Sequence, residues 1–148
     1  MHNFQIRWMT KDDITEVLNL ENEYKNDGNK FIWKHKDIDR VKSKPYAGSI
    51  VVCGNDNKPI AYLSYELQSN DILINRIIVS KNNRRIGIGR QLINELRNKC
   101  GQKYNIKTFI PETNKEATLF FHKCRFFAKL IPNYFDGEDA YEFIYESN

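Results

Sequence analysis

Apolar positions along this chain follow two periods in turn. Phe4-Gln5-Ile6-Arg7-Trp8 alternates, which predicts a strand with one buried face. Thr10 and Asp13 have capping-box spacing and predict a helix running to about Tyr24, with Ile14, Val17, Leu18 and Glu21 marking its faces. Asn26-Asp27-Gly28-Asn29 ends it. A polar, aromatic stretch follows (Phe31, Trp33, His35), then a short helix over 37–42 and a turn over 45–48. Strands over 49–53 and 60–67 are joined by Gly54-Asn55-Asp56-Asn57-Lys58-Pro59, a strong hairpin signal. The stretch 71–79 is the most apolar strand and is predicted to lie centrally. Ile88, Leu92 and Leu96 recur every four residues with Ile93 beside them, predicting a helix over 88–99. A strand over 103–110 is ended by Pro111. Thr113 can cap a helix on which Ala117, Phe120, Phe121 and Cys124 form one apolar face. A strand over 126–131, a loop over 133–139 and a closing strand over 140–145 complete the order β-α-α-β-β-β-α-β-α-β-β. That order predicts a mixed sheet with helices on both sides, α/β (α+β by some schemes).

Composition narrows the class. At 148 residues the chain is expected to be a single domain, 1–148. Folding at that length buries roughly two-thirds of the unfolded surface, so neither disulfide nor metal is needed. No apolar run approaches the ~18 residues of a membrane helix. The first residues lack the basic-then-apolar layout of a secretory signal. No membrane partner is expected, and the expected location is cytoplasmic. Cys53, Cys100 and Cys124 have neither Cys-x-x-Cys spacing nor a His partner at metal spacing, which predicts free thiols. The net charge of +4 is unevenly placed. From Lys81 to Lys103 seven bases face one acid, Glu95, a local +6 that leaves −2 for the rest; from Asp136 onward there are five acids and no base. So compact a positive patch suits a small polyanion such as a nucleotide cofactor. Nucleic acid is met by longer basic faces with interleaved aromatics and is not an expected partner.

The patch centres on Arg84-Arg85-Ile86-Gly87-Ile88-Gly89-Arg90, between the most apolar strand and an amphipathic helix. Two glycines let backbone approach an anion. The helix start turns free N–H groups and its positive dipole end to the same spot, and the arginines supply counter-charge. A Walker loop is excluded, because Gly89 is followed by Arg90-Gln91 instead of Lys-Ser/Thr. A dinucleotide fingerprint needs Gly or Ala where Leu92 stands. What remains is Arg-x-x-Gly-x-Gly after a fourth strand.

Asn75-Arg76-Ile77-Ile78-Val79, a linker over 80–83 and then Arg84 to Arg90 together resemble the GNAT acetyltransferase superfamily, and the element order agrees along nearly the whole chain. A second stretch, Asn133-Tyr134-Phe135-Asp136-Gly137-Glu138-Asp139-Ala140-Tyr141, is similar to the Tyr-Tyr…Asp-Gly-Glu-Asp-Ala segment of N-terminal protein acetyltransferases. These include the bacterial ribosomal-protein-alanine enzymes and the catalytic subunits of eukaryotic and archaeal complexes. Asn114, a helix and then Cys124-Arg125-Phe126 resemble their Asn…Gly-Phe region, with Arg125 in place of Gly. The resemblance implies a mostly antiparallel seven-stranded sheet flanked by helices, acetyl-CoA as cosubstrate, no metal, and a monomer or homodimer. It implies that backbone groups of Ile77, Ile78 and Val79 hold the pantetheine arm and polarise the thioester carbonyl. Arg84, Arg85, Ile86, Gly87, Ile88, Gly89 and Arg90 would wrap the pyrophosphate, mostly through N–H groups. Asn114 would contact the pantetheine from the neighbouring strand, and Tyr134 would line the acceptor groove.

Two positions depart from that pattern. Counted back from Asn114, the family's Glu or His base falls at Phe109, and the Tyr that protonates the leaving thiolate falls at Phe121. The attacking amine must be neutral. Near pH 7.4 roughly a fifth of α-amines are neutral, against about one lysine in a thousand. The thiolate, with a pKa of about 8.5, departs without a strong acid. Positioning supplies much of the barrier reduction, and oriented N–H donors supply more. A site stripped of acid and base therefore suits an α-amine and suits lysine poorly. Glu21 and Glu23, ending the first helix near where acceptors enter in this fold, are candidate proton relays through water, against a reading as solvated helix-end carboxylates. Tyr134 is a candidate acid as well as a groove wall. Glu112 and His122 read as surface residues, and Phe31 and Trp33 as an acceptor lid or as core. Three readings stay open: acetyl transfer to a peptide or protein N-terminus by direct ternary-complex attack, transfer to a small-molecule amine, and a non-catalytic acyl-CoA-binding module.

Overall fold

The computed structural model describes residues 3–147. The elements are β1 (Gln5–Trp8), α1 (Ile14–Asn26), α2 (His35–Lys42), β2 (Ala47–Cys53), β3 (Pro59–Gln68), β4 (Asp71–Val79), α3 (Ile88–Cys100), β5 (Asn105–Pro111), α4 (Lys115–Lys123), β6 (Phe127–Phe135) and β7 (Glu138–Tyr145). Short 3-10 turns at Lys11–Asp13 and Lys81–Asn83 join them. The order of strands and helices is the one expected. In the sheet the strands run β1-β2-β3-β4-β5-β7-β6, so β4 is central. Every neighbouring pair is antiparallel except β4–β5.

Each face of the sheet has its own core. On one face the α3 repeat, Ile88, Leu92, Ile93 and Leu96, joins Phe121 of α4 over Ile50, Leu63, Ile72 and Ile74. On the other, Val17 and Leu20 of α1 and Ile38 of α2 cover Val51, Tyr62 and Ile78. β3 is buried on both faces and so carries a nearly unbroken apolar run.

Three expectations are corrected. β7 does not close the sheet edge; it inserts between β5 and β6, leaving β6 outermost. The expected loop over 133–139 is mostly strand. Pro132 has no N–H for the ladder and the register shifts between Ile131 and Phe135. Asn133 takes φ 54° and its side chain accepts from the Gly137 N–H at 2.8 Å. The connection therefore tightens to Asp136-Gly137, with Gly137 at φ 93°. Finally, Asn114 caps α4, its Oδ1 accepting from the Ala117 N–H at 3.1 Å, while the Thr113 hydroxyl donates to Glu138 at 3.1 Å.

One feature of the sheet positions the site. β4 and β5 pair only over Asp71–Leu73 and Asn105–Lys107. The Thr108 hydroxyl then donates to the Ile74 carbonyl at 2.9 Å, and beyond it the strands part. Arg76 lies opposite Ser64 while Ile74 lies opposite Tyr65. Asn75 is thus the extra residue of a bulge, which bends and twists its strand where β4 leaves β5.

Two outcomes test this packing. Phe121 is fully buried among the rings of Phe120, Phe126 and Phe143, so Phe121→Ala should cost about 3–5 kcal/mol in urea unfolding; a loss below ~1 kcal/mol would place it outside the core. Arg7 binds Asp13 at 2.7 and 2.9 Å. Burial pushes the Asp13 carboxyl up, but the bonds from Arg7 and Thr10 outweigh it and hold the group below its ordinary value. Its stabilisation is therefore full above the ordinary carboxylate range and lost as pH falls through the lowered folded value. The stability advantage of the native chain over Asp13→Asn should shrink as pH falls below about 5; a pH-independent difference would contradict this.

Candidate active site

The gap between β4 and β5 exposes backbone. The Ser80 N–H donates to the Ile60 carbonyl at 2.8 Å. Alternate residues of an antiparallel strand face the same neighbour, so Ile78 and Arg76 also turn their N–H and C=O to β3. Ile77 and Val79 turn theirs to the gap, and the Val79 carbonyl accepts there from Arg84 Nε at 2.8 Å. Ile78, expected beside them at the pantetheine, points its backbone to β3 and packs in the α1 core.

The following loop ends in an open cradle. Gly87 is the N-cap of α3 at φ 90°, and no side chain caps this helix. A Cβ at Gly87 would meet nothing within 4 Å, so the left-handed φ, not space, is what calls for glycine. The first-turn N–H groups are left to an anion. Gly89 also meets a packing constraint. A Cβ there would lie 2.8 Å from the Phe120 ring, so its bareness allows α3 to approach α4. Ile88 is buried in the core, and Ile86 is exposed. The three arginines also separate. Arg84 binds Val79, Asp27 at 3.3 Å and Glu116 at 3.3 Å, which commits its charge. Arg85 and Arg90 are exposed and have no acidic partner among the described residues; Arg90 donates to the Lys123 carbonyl at 3.3 Å. Glu23 accepts from the Lys81 N–H, tying the end of α1 to the loop.

Glu21 is not a solvated helix end. It is 1% exposed, and Arg76 reaches it through Nε at 3.1 Å and Nη2 at 2.5 Å. The Trp33 N–H adds a bond at 2.9 Å and the Tyr62 hydroxyl another. Burial, then the Glu21 charge, push the Tyr62 phenol well up, which keeps it a donor. Four donors saturate the carboxylate, so its geometry is that of a group that positions Arg76 beside the bulge. Tyr24, one turn further along α1, lies with its ring 5.1 Å from the Arg76 guanidinium. Its hydroxyl meets Asn114 Nδ2 at 2.5 Å. The Asn114 side chain, expected at the pantetheine, is thus shared between its helix cap and Tyr24.

The surface around Tyr134 is aromatic. Tyr134 is about half exposed and stacks on Phe109 at 4.4 Å and 5°. Phe135 meets Tyr134 edge-on at 4.9 Å and stacks on Phe31 at 4.9 Å. Trp33 packs in the α1 core. Next to this strip, Glu112, Glu138 and Asp139 line an acidic concavity of about 240 Å³. A larger one, about 380 Å³, lies by Arg7 and Asp13 and includes none of these residues. No cluster of His, Cys, Asp or Glu suited to a metal occurs among the described residues.

Residues 12–126 match the sequence model of the Acetyltransferase (GNAT) family. The chain belongs to this family. It is an acetyl-CoA-dependent N-acetyltransferase. A search of curated protein sequences found no match. Similar solved structures include the ribosomal-protein-S18-alanine N-acetyltransferase of Escherichia coli, 17% identical over 96% of this chain and 92% of that one, with a TM-score of 0.78. Ard1 of Thermoplasma volcanium is 18% identical over 98% of both chains, with a TM-score of 0.80. NAA60 of Arabidopsis thaliana, solved with a bisubstrate analogue, is 16% identical over 99% of this chain and 100% of that one, with a TM-score of 0.79. At these identities the likeness is one of fold. The features found above fit the family's cosubstrate: an uncapped helix start open to a pyrophosphate, and a free strand edge leading from it. Tyr24, Tyr62 and Arg76 are the members of the site that sequence reasoning missed. The one available signal was Tyr24 standing three residues after Glu21 on the same helix.

Glu21→Ala would leave Arg76 buried without its counter-charge. It should lower stability by about 3–5 kcal/mol, read by urea unfolding; a change within ~0.5 kcal/mol would show that the pair carries no structural weight.

Proposed function

We propose that this acetyltransferase acts on the α-amine of a peptide or protein N-terminus, by direct attack within a complex holding both substrates. The reading rests on one juxtaposition: the free edge of β4 leads from the anion cradle to an aromatic, acid-rimmed acceptor side. Gly87 and the first turn of α3 would hold the pyrophosphate, with Arg85 and Arg90 as counter-charge. The gap-facing groups of Ile77 and Val79 would hold the pantetheine arm. Bound there, acetyl-CoA supplies an activated acyl group. The chain's own part is to orient, exclude water and steer. Phe109, Tyr134 and Phe135 offer flat faces to the first residues of a peptide, and Glu112, Glu138 and Asp139 favour the approach of a protonated amine. Phe109 offers no proton acceptor, so the amine must arrive neutral, which favours an α-amine over lysine. Glu23, held by the Lys81 N–H, and Glu21, saturated by donors, are then positioning groups. Tyr134 acts as groove wall.

A second reading draws on a specific contact. The Phe31–Phe135 stack and the Lys30–Glu138 pair at 4.0 Å join the α1–α2 segment to the β6–β7 turn beside Tyr134. A joined roof favours a small-molecule amine as acceptor.

Acetyl-CoA at about 1000 times its Kd should raise unfolding stability by about 4 kcal/mol, and Gly87→Val should abolish the gain; no shift in the native chain would remove the cosubstrate from the proposal. Mass spectrometry of a random peptide pool should then show acetyl groups at α-amines and not at lysines. Transfer to small amines with an untouched peptide pool would select the second reading.

A further inference from the structure

A side chain from α1 spans the gap that the sheet leaves open. Tyr24 rests its ring against Arg76 of β4 and brings its hydroxyl to Asn114, just beyond β5. The helix cap settles the direction of that bond. Asn114 Oδ1 accepts from the Ala117 N–H, so the amide turns its NH2 to Tyr24 and the phenol oxygen is the acceptor. The phenol's own proton is left over, and it has no acceptor among the described residues. Burial raises the Tyr24 pKa; the charges of Arg76 and Arg84 oppose this and that of Glu21 adds to it. The net shift is upward, so the proton stays on the oxygen well into alkaline pH.

The coenzyme path brings a sulfur to that proton. A pyrophosphate at the α3 N-terminus starts the pantetheine arm beside Val79. Laid back along the free edge of β4, the arm reaches the bulge at Asn75 and Arg76 after about four residues, ~13 Å at ~3.3 Å per residue, a span within its reach. We propose that the Tyr24 hydroxyl donates a hydrogen bond to the coenzyme sulfur as it leaves, a part that the buried Phe121 ring cannot take. The assignment rests on the acetyl-transfer reading above. The acceptor nitrogen's lone pair forms the N–C bond. The C–S bond breaks with both electrons going to sulfur, whose new charge meets the Tyr24 O–H, and the nitrogen's surplus proton passes to water. A thiol is more acidic than a phenol, about 8.5 against 10. The shared proton therefore stays on Tyr24, and no phenolate has to be reprotonated between turnovers.

Calorimetric binding of coenzyme A and desulfo-coenzyme A at about pH 9.5, where the thiol is ionised, isolates the contact. The native protein should prefer coenzyme A about tenfold, the worth of a charge-assisted hydrogen bond. Tyr24→Phe should lose that preference while binding desulfo-coenzyme A as before. In peptide acetylation Tyr24→Phe should lower kcat by up to about tenfold with little change in the KM for acetyl-CoA. A sulfur preference that survives Tyr24→Phe, or equal loss of affinity for both ligands, overturns the assignment and leaves the acetyl-transfer reading intact. A native protein that binds coenzyme A yet moves no acetyl overturns that reading, while the sulfur preference still decides the Tyr24 bond.

Discussion

A carboxylate taken out of water has to be surrounded by donors, and much of this molecule is arranged around one such group. Glu21 collects Tyr62 from β3, Arg76 from β4 and the Trp33 N–H from the chain entering α2. Those bonds dock α1 on the sheet at the point where β4 bulges away from β5. They also fix the guanidinium on which the Tyr24 ring lies. An apolar residue at position 21 could cover the same area without specifying where Arg76 goes; a saturated ion pair makes the position of β4 at the gap unambiguous.

The two sides of the gap are built from different materials. The proposed coenzyme side would use backbone: the free groups of Ile77 and Val79 and the uncapped turn after Gly87, with Arg85 and Arg90 exposed nearby. Backbone donors are placed by the fold itself and lose little entropy on binding. The proposed acceptor side would use ring faces, with Phe109 and Tyr134 stacked on each other. Such a surface can orient an amine and exclude water, and it leaves the protonation state of the amine to solution.

Legibility in the sequence followed the range of the interactions involved. The α3 repeat, the central β4 and the loop between them were readable because periodicity and glycine placement are local signals, and the element order followed from them. Glu21 was unreadable because its partners stand 41 and 55 residues away, and a Glu near a helix end looks solvated until they arrive. The Tyr24–Asn114 bond spans 90 residues. The packing of Gly89 under the Phe120 ring was unreadable, since a glycine near a phosphate loop and a glycine under a neighbouring ring are indistinguishable in one dimension. The end of the β6–β7 hairpin, 133–139, was taken for a loop because Pro132, Asn133 and Gly137 are turn residues wherever the strands actually end.

Where β4 and β5 separate, the sheet gives up its means of keeping them in register, and the ladder can no longer act as a ruler between the two walls of the cleft. The bare flank of Gly89 against Phe120 restores that measurement from outside. It keys the helix that begins the phosphate cradle to the helix whose cap is Asn114, on the face opposite Tyr24. The opening is therefore gauged by a strut on each side, and its width is set by helix-to-helix and helix-to-strand fit instead of by strand pairing.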